Sequence, residues 1–141
     1  MPATFDKNLP DWLTGGDGLV AALDRFYADL LADETAAPRY FAPVYVQHAN
    51  GQSMDYPRFL EHLRHLRGFG QRVIFRVAEA LCADGVVAER HGVELEGPDG
   101  DKALIDTFCF IRFVHGRIAE ISELYHVVSG EAVMARFAAG A

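Results

Sequence analysis

From position 19 onward the apolar residues Leu19, Val20, Leu23, Phe26, Tyr27, Leu30 and Leu31 fall three and four apart, the spacing of one face of an α-helix. Asp17 stands where a capping side chain accepts free amides, and Pro38 stops any continuation beyond Ala37. A helical turn at 39–42 then leads to a strand, 44–48, with Asn50-Gly51 as turn chemistry. The stripe Tyr56, Phe59, Leu60, Leu63 and Leu66 predicts a second helix over 55–67. Past Gln71 the period changes to two, predicting strands at 72–82, 86–95, 103–113 and 117–128. Their separators, Ala83-Asp84-Gly85, 97–101 and Val114-His115-Gly116, suit hairpin turns, so the four strands read as an antiparallel meander. A weakly helical tail, 131–138, carries Val133, Met134 and Phe137.

Helices first and strands later, each with one apolar side, must pack on one another to be stable. The expected class is therefore α+β, one layer of helix on a curved sheet, in a single domain spanning 1–141. Half the residues are hydrophobic, yet no apolar run approaches the ~18 residues of a membrane span. The opening residues lack the basic start and apolar segment of a signal peptide, which points to a cytoplasmic protein. Cys82 and Cys109 lie among apolar strand residues and read as buried thiols. A formal charge of −7, with Arg58, Arg64, Arg67 and Arg72 interrupted by Glu61, argues against nucleic acid as a partner.

Two acids stand out inside the last hairpin. Alternation puts Asp106 on one face with Leu104, Phe108 and Phe110, and Glu123 between Ile121 and Tyr125. Carboxyls held among aromatics lose hydration, which raises their pKa and suits them to proton transfer or to donating a hydrogen bond while neutral. Each has a plainer reading: Asp106 paired with Arg112 or Arg90, and Glu123 on the exposed side of a twisted strand.

The strings Tyr40-Phe41-Ala42-Pro43-Val44-Tyr45-Val46-Gln47-His48 and Gly116-Arg117-Ile118-Ala119-Glu120-Ile121-Ser122-Glu123 resemble the SnoaL-like polyketide cyclase family, within the nuclear transport factor 2-like superfamily. The likeness covers nearly the whole chain. In that family the second string commonly closes His-Trp-Asp, the Asp being the general acid/base; here Ile121 and Ser122 replace the first two, and Glu123 takes the Asp position. Ile105-Asp106-Thr107-Phe108-Cys109-Phe110 is similar to the ketosteroid isomerase strand bearing an oxyanion-hole acid, although Phe26 stands at that relative's phenol and His48 at its carboxylate base. The resemblance implies a conical pocket, closed by the first helix, with His48, Asp106 and Glu123 pointing into it. It implies a small hydrophobic ligand, no cofactor, and a homodimer formed through the open sheet face. His48 would be general base, Glu123 its acid/base partner and Asp106 a neutral hydrogen-bond donor. Phe26, Tyr27, Phe108, Phe110, Ile121 and Tyr125 would form apolar walls.

The remaining polar residues suggest less. His62 and His65 fall opposite Phe59, Leu63 and Leu66 and read as solvated surface, three apart with no further convergent ligand for a metal. Glu89, Arg90 and His91 share a strand, and periodicity does not say which faces the concave side. Arg76, Glu79, Arg90, Glu94 and Glu96 suit a convex pairing face, His126 a pocket rim or interface, and the tail either a pocket cover or a partner contact. Gly15-Gly16-Asp17-Gly18 follows no strand, so it is no phosphate cradle. Two functions of different class remain: an acid/base enzyme on a hydrophobic substrate, or a non-catalytic binding or dimerisation module.

Overall fold

The period-two segments form four long antiparallel strands in the computed structural model, which describes residues 4–140. Residues 1–3, part of the segment read above for a leader, and residue 141 of the tail lie outside the described residues. The long strands are β3 (Arg72–Ala83), β4 (Val86–Glu96), β5 (Lys102–Val114) and β6 (Arg117–Ser129), preceded by β1 (Phe41–Ala49) and a short β2 (Gln52–Asp55). They make one sheet in the order β2-β1-β6-β5-β4-β3. The sheet is not wholly antiparallel, because β1 lies parallel to β6, with Gln47 opposite Ile121, His48 opposite Ser122 and Ala49 opposite Glu123. Both pairings repeat every two residues, so side-chain periodicity carries no trace of the difference. Register shifts between Val77 and Glu79 and between Arg112 and Phe113 bend the long strands. At Asn50-Gly51, Asp84-Gly85 and His115-Gly116 both residues have positive φ, the conformation of tight hairpin turns.

The helices are α1 (Asp11–Thr14), α2 (Leu19–Ala32), α3 (Ala37–Tyr40), α4 (Tyr56–Phe69) and α5 (Glu131–Gly140). Gly18, at φ 105°, begins α2 in place of the expected Asp17 cap. The helix also stops at Ala32, well before Pro38, because the Asp33 carboxylate accepts from the Thr35 amide (2.9 Å) and starts a new turn. Asp55 caps α4 by accepting from the Arg58 amide at 3.1 Å. The apolar stripe of α2 buries Leu23, Phe26, Tyr27 and Leu30 against the sheet, and Asp24 accepts from the Val77 amide (2.9 Å) at the β3 irregularity. The tail packs on its own chain, with Val133 and Phe137 of α5 clustering with Leu66, Leu95 and Ala103. Gly130 permits this turn: its φ is 86°, and a Cβ there would lie 2.3 Å from the Lys102 carbonyl oxygen. Among the described residues no helix is long and apolar enough to cross a membrane.

The sheet's two faces differ in kind. On β5 the buried set is Ala103, Ile105, Thr107, Cys109, Ile111 and Phe113, facing the helices. Leu104, Asp106, Phe108, Phe110 and Arg112 face the other way. Cys109 is buried as expected, but Cys82, near the open end of β3, is exposed.

Candidate active-site cavity

Between the concave face and α2, α4 and α5 lies a cavity of about 250 Å³. Phe26 and Tyr27 line it from α2, Phe59 and Leu63 from α4, and Met134 and Phe137 from α5. Its polar lining comes mainly from the strands: Gln47 of β1, His91 of β4, Thr107 of β5 and Glu123 of β6. No lysine or arginine is among the described lining residues.

A relay of side chains fixes the polar end. The Tyr45 hydroxyl donates to Gln47 Oε1 (3.0 Å), and Gln47 Nε2 donates to Glu123 Oε1 (2.9 Å). The amide is thereby oriented with its donors toward the carboxyl. Burial pushes the Glu123 pKa up; His91 opposes that shift, the charge of Glu89 adds to it, and the Gln47 hydrogen bond opposes it. A carboxyl so placed is ready to hold a proton and hand it to a ligand.

Behind the cavity floor, Glu89 and His91 occupy alternate positions on β4, and Cys109 stands opposite Glu89 on β5. Glu89 Oε1 lies 2.5 Å from His91 Nδ1 and accepts from Cys109 Sγ at 2.9 Å. When Nδ1 carries a proton it donates to this carboxylate, and the ring's other nitrogen, Nε2, points away from it. The imidazole lies against Phe75 (centroids 5.3 Å) and Tyr27 (4.8 Å). Burial, with Glu89 beside it, drives the Cys109 pKa far up, so this thiol is no nucleophile. The second oxygen of Glu89, Oε2, is buried without a partner among the described residues.

The residues expected at the site divide between the faces. Phe26, Tyr27, Ile121, Glu123 and Tyr125 line the cavity. Asp106 does not: on the outer face it receives Arg90 Nε (3.1 Å) and Nη2 (2.8 Å), a bidentate pair that holds its carboxyl below the usual range. It is an anion at neutral pH, and no oxyanion donor. Phe108 and Phe110 are also on that face, 54% and 53% exposed, with the Arg90 guanidinium 5.2 Å over the Phe108 ring. His48 points outward too, its Nδ1 2.7 Å from Ser53 Oγ, because Gln47 takes the inward position on β1. The α4 histidines are likewise not solvated. His62 lines the cavity, where burial lowers its pKa, and His65 stacks on Phe137 at 4.4 Å while its Nε2 bonds the Phe137 carbonyl at 2.8 Å. Tail helix α5 closes over that side of α4.

Sequence reasoning passed over Gln47 and left Glu89 and His91 undecided. One signal locates the latter pair. On β5 the set containing Cys109 bears no charge, whereas the alternate set bears Asp106 and Arg112, so the uncharged set belongs inside. Register then carries Glu89 and His91 inside with it, opposite Cys109 and Thr107.

By sequence, no protein-family model and no curated protein matches the chain. Solved structures do match by fold. PrhC from Penicillium brasilianum is similar at a TM-score of 0.71 and 13% identity, over 86% of this chain and 88% of that one. The candidate polyketide cyclase IdmH from Streptomyces antibioticus gives 0.63 and 16%, over 82% and 94%. A nuclear transport factor 2-like protein of unknown function from Exiguobacterium sp. 255-15 gives 0.62 and 16%, over 73% and 93%. The chain has the nuclear transport factor 2-like fold: helices on one face of a curved, unclosed sheet.

Proposed function

We propose that the chain binds a small, uncharged, largely apolar molecule in the cavity and moves a proton on it, as a SnoaL-like enzyme of the isomerase, cyclase, dehydratase or hydratase type. One observation carries this reading: a carboxyl, Glu123, faces an apolar cavity and is anchored by a single amide, Gln47. Glu123 is the proton carrier, while Gln47 and His91 position the ligand's polar group. Aromatic walls and the missing cation favour neutral ligands over carboxylates or phosphates. Proteins of similar fold include a candidate polyketide cyclase, IdmH, and a candidate hydroxylase, AclR, which favours an enzyme over a plain binding module. Thermal-shift screening with neutral polycyclic ketones and with aromatic acids tests the binding: ketones raise Tm and acids do not. For catalysis, Glu123→Gln loses roughly 10²–10⁴-fold in turnover of a ketone substrate while still binding it. A folded variant with full turnover defeats the enzyme reading. The outward placement of His48 and Asp106 supports a second reading, a non-catalytic binding module, which that result would favour.

We also propose that the outer sheet face pairs two copies of this chain in the cytoplasm. Leu81, Phe108, Phe110 and Leu124 are 53–74% exposed there, a patch of the kind that marks an interface. The patch carries both signs of charge, in Arg90–Asp106 and Arg112–Glu120. With both signs present, a second copy related by a two-fold axis can set its arginines against these acids and its acids against these arginines, as a self-complementary interface requires. Light scattering at micromolar concentration gives a dimer, and Leu124→Arg gives a monomer. Wild-type monomer at that concentration excludes the pairing.

A further inference from the structure

The interior of this protein has an unbalanced charge inventory. Its buried polar side chains include Gln47, Glu89, His91 and Thr107, and Glu123 adds a second, largely enclosed carboxyl, with no buried lysine or arginine among the described residues. Glu89, His91 and Cys109 meet at the foot of the cavity with their ligand atoms all within 4.8 Å of one another. We propose that these three side chains form a binding site for a divalent transition metal of the zinc class.

Four observations support it. The donor set is one nitrogen, one sulfur and one oxygen, which suits zinc, cobalt or iron; calcium and magnesium take oxygen ligands. The spacing needs little change, since metal bonds of about 2.0–2.3 Å in tetrahedral geometry set ligand atoms roughly 3.3–3.8 Å apart. Glu89 Oε1 now lies 2.5 Å from His91 Nδ1 and 2.9 Å from Cys109 Sγ, so the ligands open by about 1 Å around an ion of that size. Glu89 Oε2 is buried without a hydrogen-bond partner among the described residues, so the carboxylate keeps acceptor capacity that the fold leaves unused. Finally, the charges close. In the bound form Cys109 has released its thiol proton to solvent, His91 ligates through Nδ1 as the imidazole protonated on Nε2, and Glu89 is a carboxylate; a dication with two anionic ligands then sums to zero, the one net charge a buried site bears cheaply. Three protein ligands leave a fourth position open, the pattern of a catalytic and not a structural zinc site.

The inference does not depend on the role given to Glu123, because its readout is metal content and not turnover. In a Cys82→Ser background, which removes the exposed thiol, protein loaded with zinc and dialysed should retain one equivalent. Cobalt in its place should give a thiolate-to-metal charge-transfer band. Cys109→Ala and Glu89→Gln, checked for folding by circular dichroism, should each lose the retained metal, and Cys109→Ala the band. Absence of stoichiometric metal and of the band in the parent protein overturns the proposal. A band that persists in Cys109→Ala, or metal that persists in both variants, overturns it as well. If a variant fails to fold, His91→Gln in the same assay decides: retained metal at the parent stoichiometry overturns the assignment, and its loss supports it.

Discussion

The two faces of the sheet each set one acid among aromatic residues, and the two acids behave in opposite ways. Glu123 faces the cavity, loses its water, and is pushed toward the neutral form. Asp106 faces outward beside Phe108, receives both arms of Arg90, and is pushed toward the anion. Neighbouring aromatic letters thus do not decide what a carboxyl becomes. What decides it is whether the aromatics enclose the acid or merely lie beside it, and whether a cation reaches it.

The sharpest way to break this contrast is to remove an aromatic from each face. Phe26→Ala on the inner side should cost about 3–5 kcal/mol in chemical denaturation, because its ring is 1% exposed and leaves a cavity. Phe108→Ala should cost far less in the monomer; equal losses would show that the outer patch is as enclosed as the core. Next in size is Gln47→Leu, which strips Glu123 of its amide and leaves the Tyr45 hydroxyl unpaired. A loss of about 1–3 kcal/mol is expected in the same measurement.

Acid titration sharpens the comparison further. Glu123 has a folded pKa above its unfolded value, so the stability it contributes is present below about 4.5 and is lost as pH rises through the folded pKa. Glu123→Gln should therefore gain on wild type between pH 4 and pH 7. Asp106 has a folded pKa below its unfolded value, so its contribution is present above about 3.8 and disappears as pH falls through the folded pKa. Asp106→Asn should lose a little stability at pH 7 and progressively less as pH falls below about 3.8, the smallest effect of the set because the pair is open to solvent. Stability curves of the two variants that move in the same direction with pH would refute the assignment of faces.

Much of the architecture is legible in the chain because period and punctuation agree with it. The helix stripe at 55–67 and the four long strands appear within a few residues of their predicted positions. What is not legible has physical causes. The parallel β1–β6 pair leaves no mark on periodicity, α1 and β2 are too short to show one, and Gly18 replaces Asp17 at a helix start that no side chain caps. The site was half legible. Glu123 is where the alternation of β6 indicates, but alternation yields two faces without saying which is inner, and the resemblance that supplies the choice puts Asp106, Phe108, Phe110 and His48 on the face opposite to the one they occupy. The Glu89–His91–Cys109 group is hidden for another reason: its members sit two apart on one strand and across on the next, a spacing that no compact motif records.

Met134 and Phe137 belong to the chamber's wall, yet they lie on the helix that follows the last strand of the sheet. The sheet's own strand pairings can therefore all be in place while the chamber is still open on one side. Any ligand that needs all the walls has to wait for that helix to turn at Gly130 and dock.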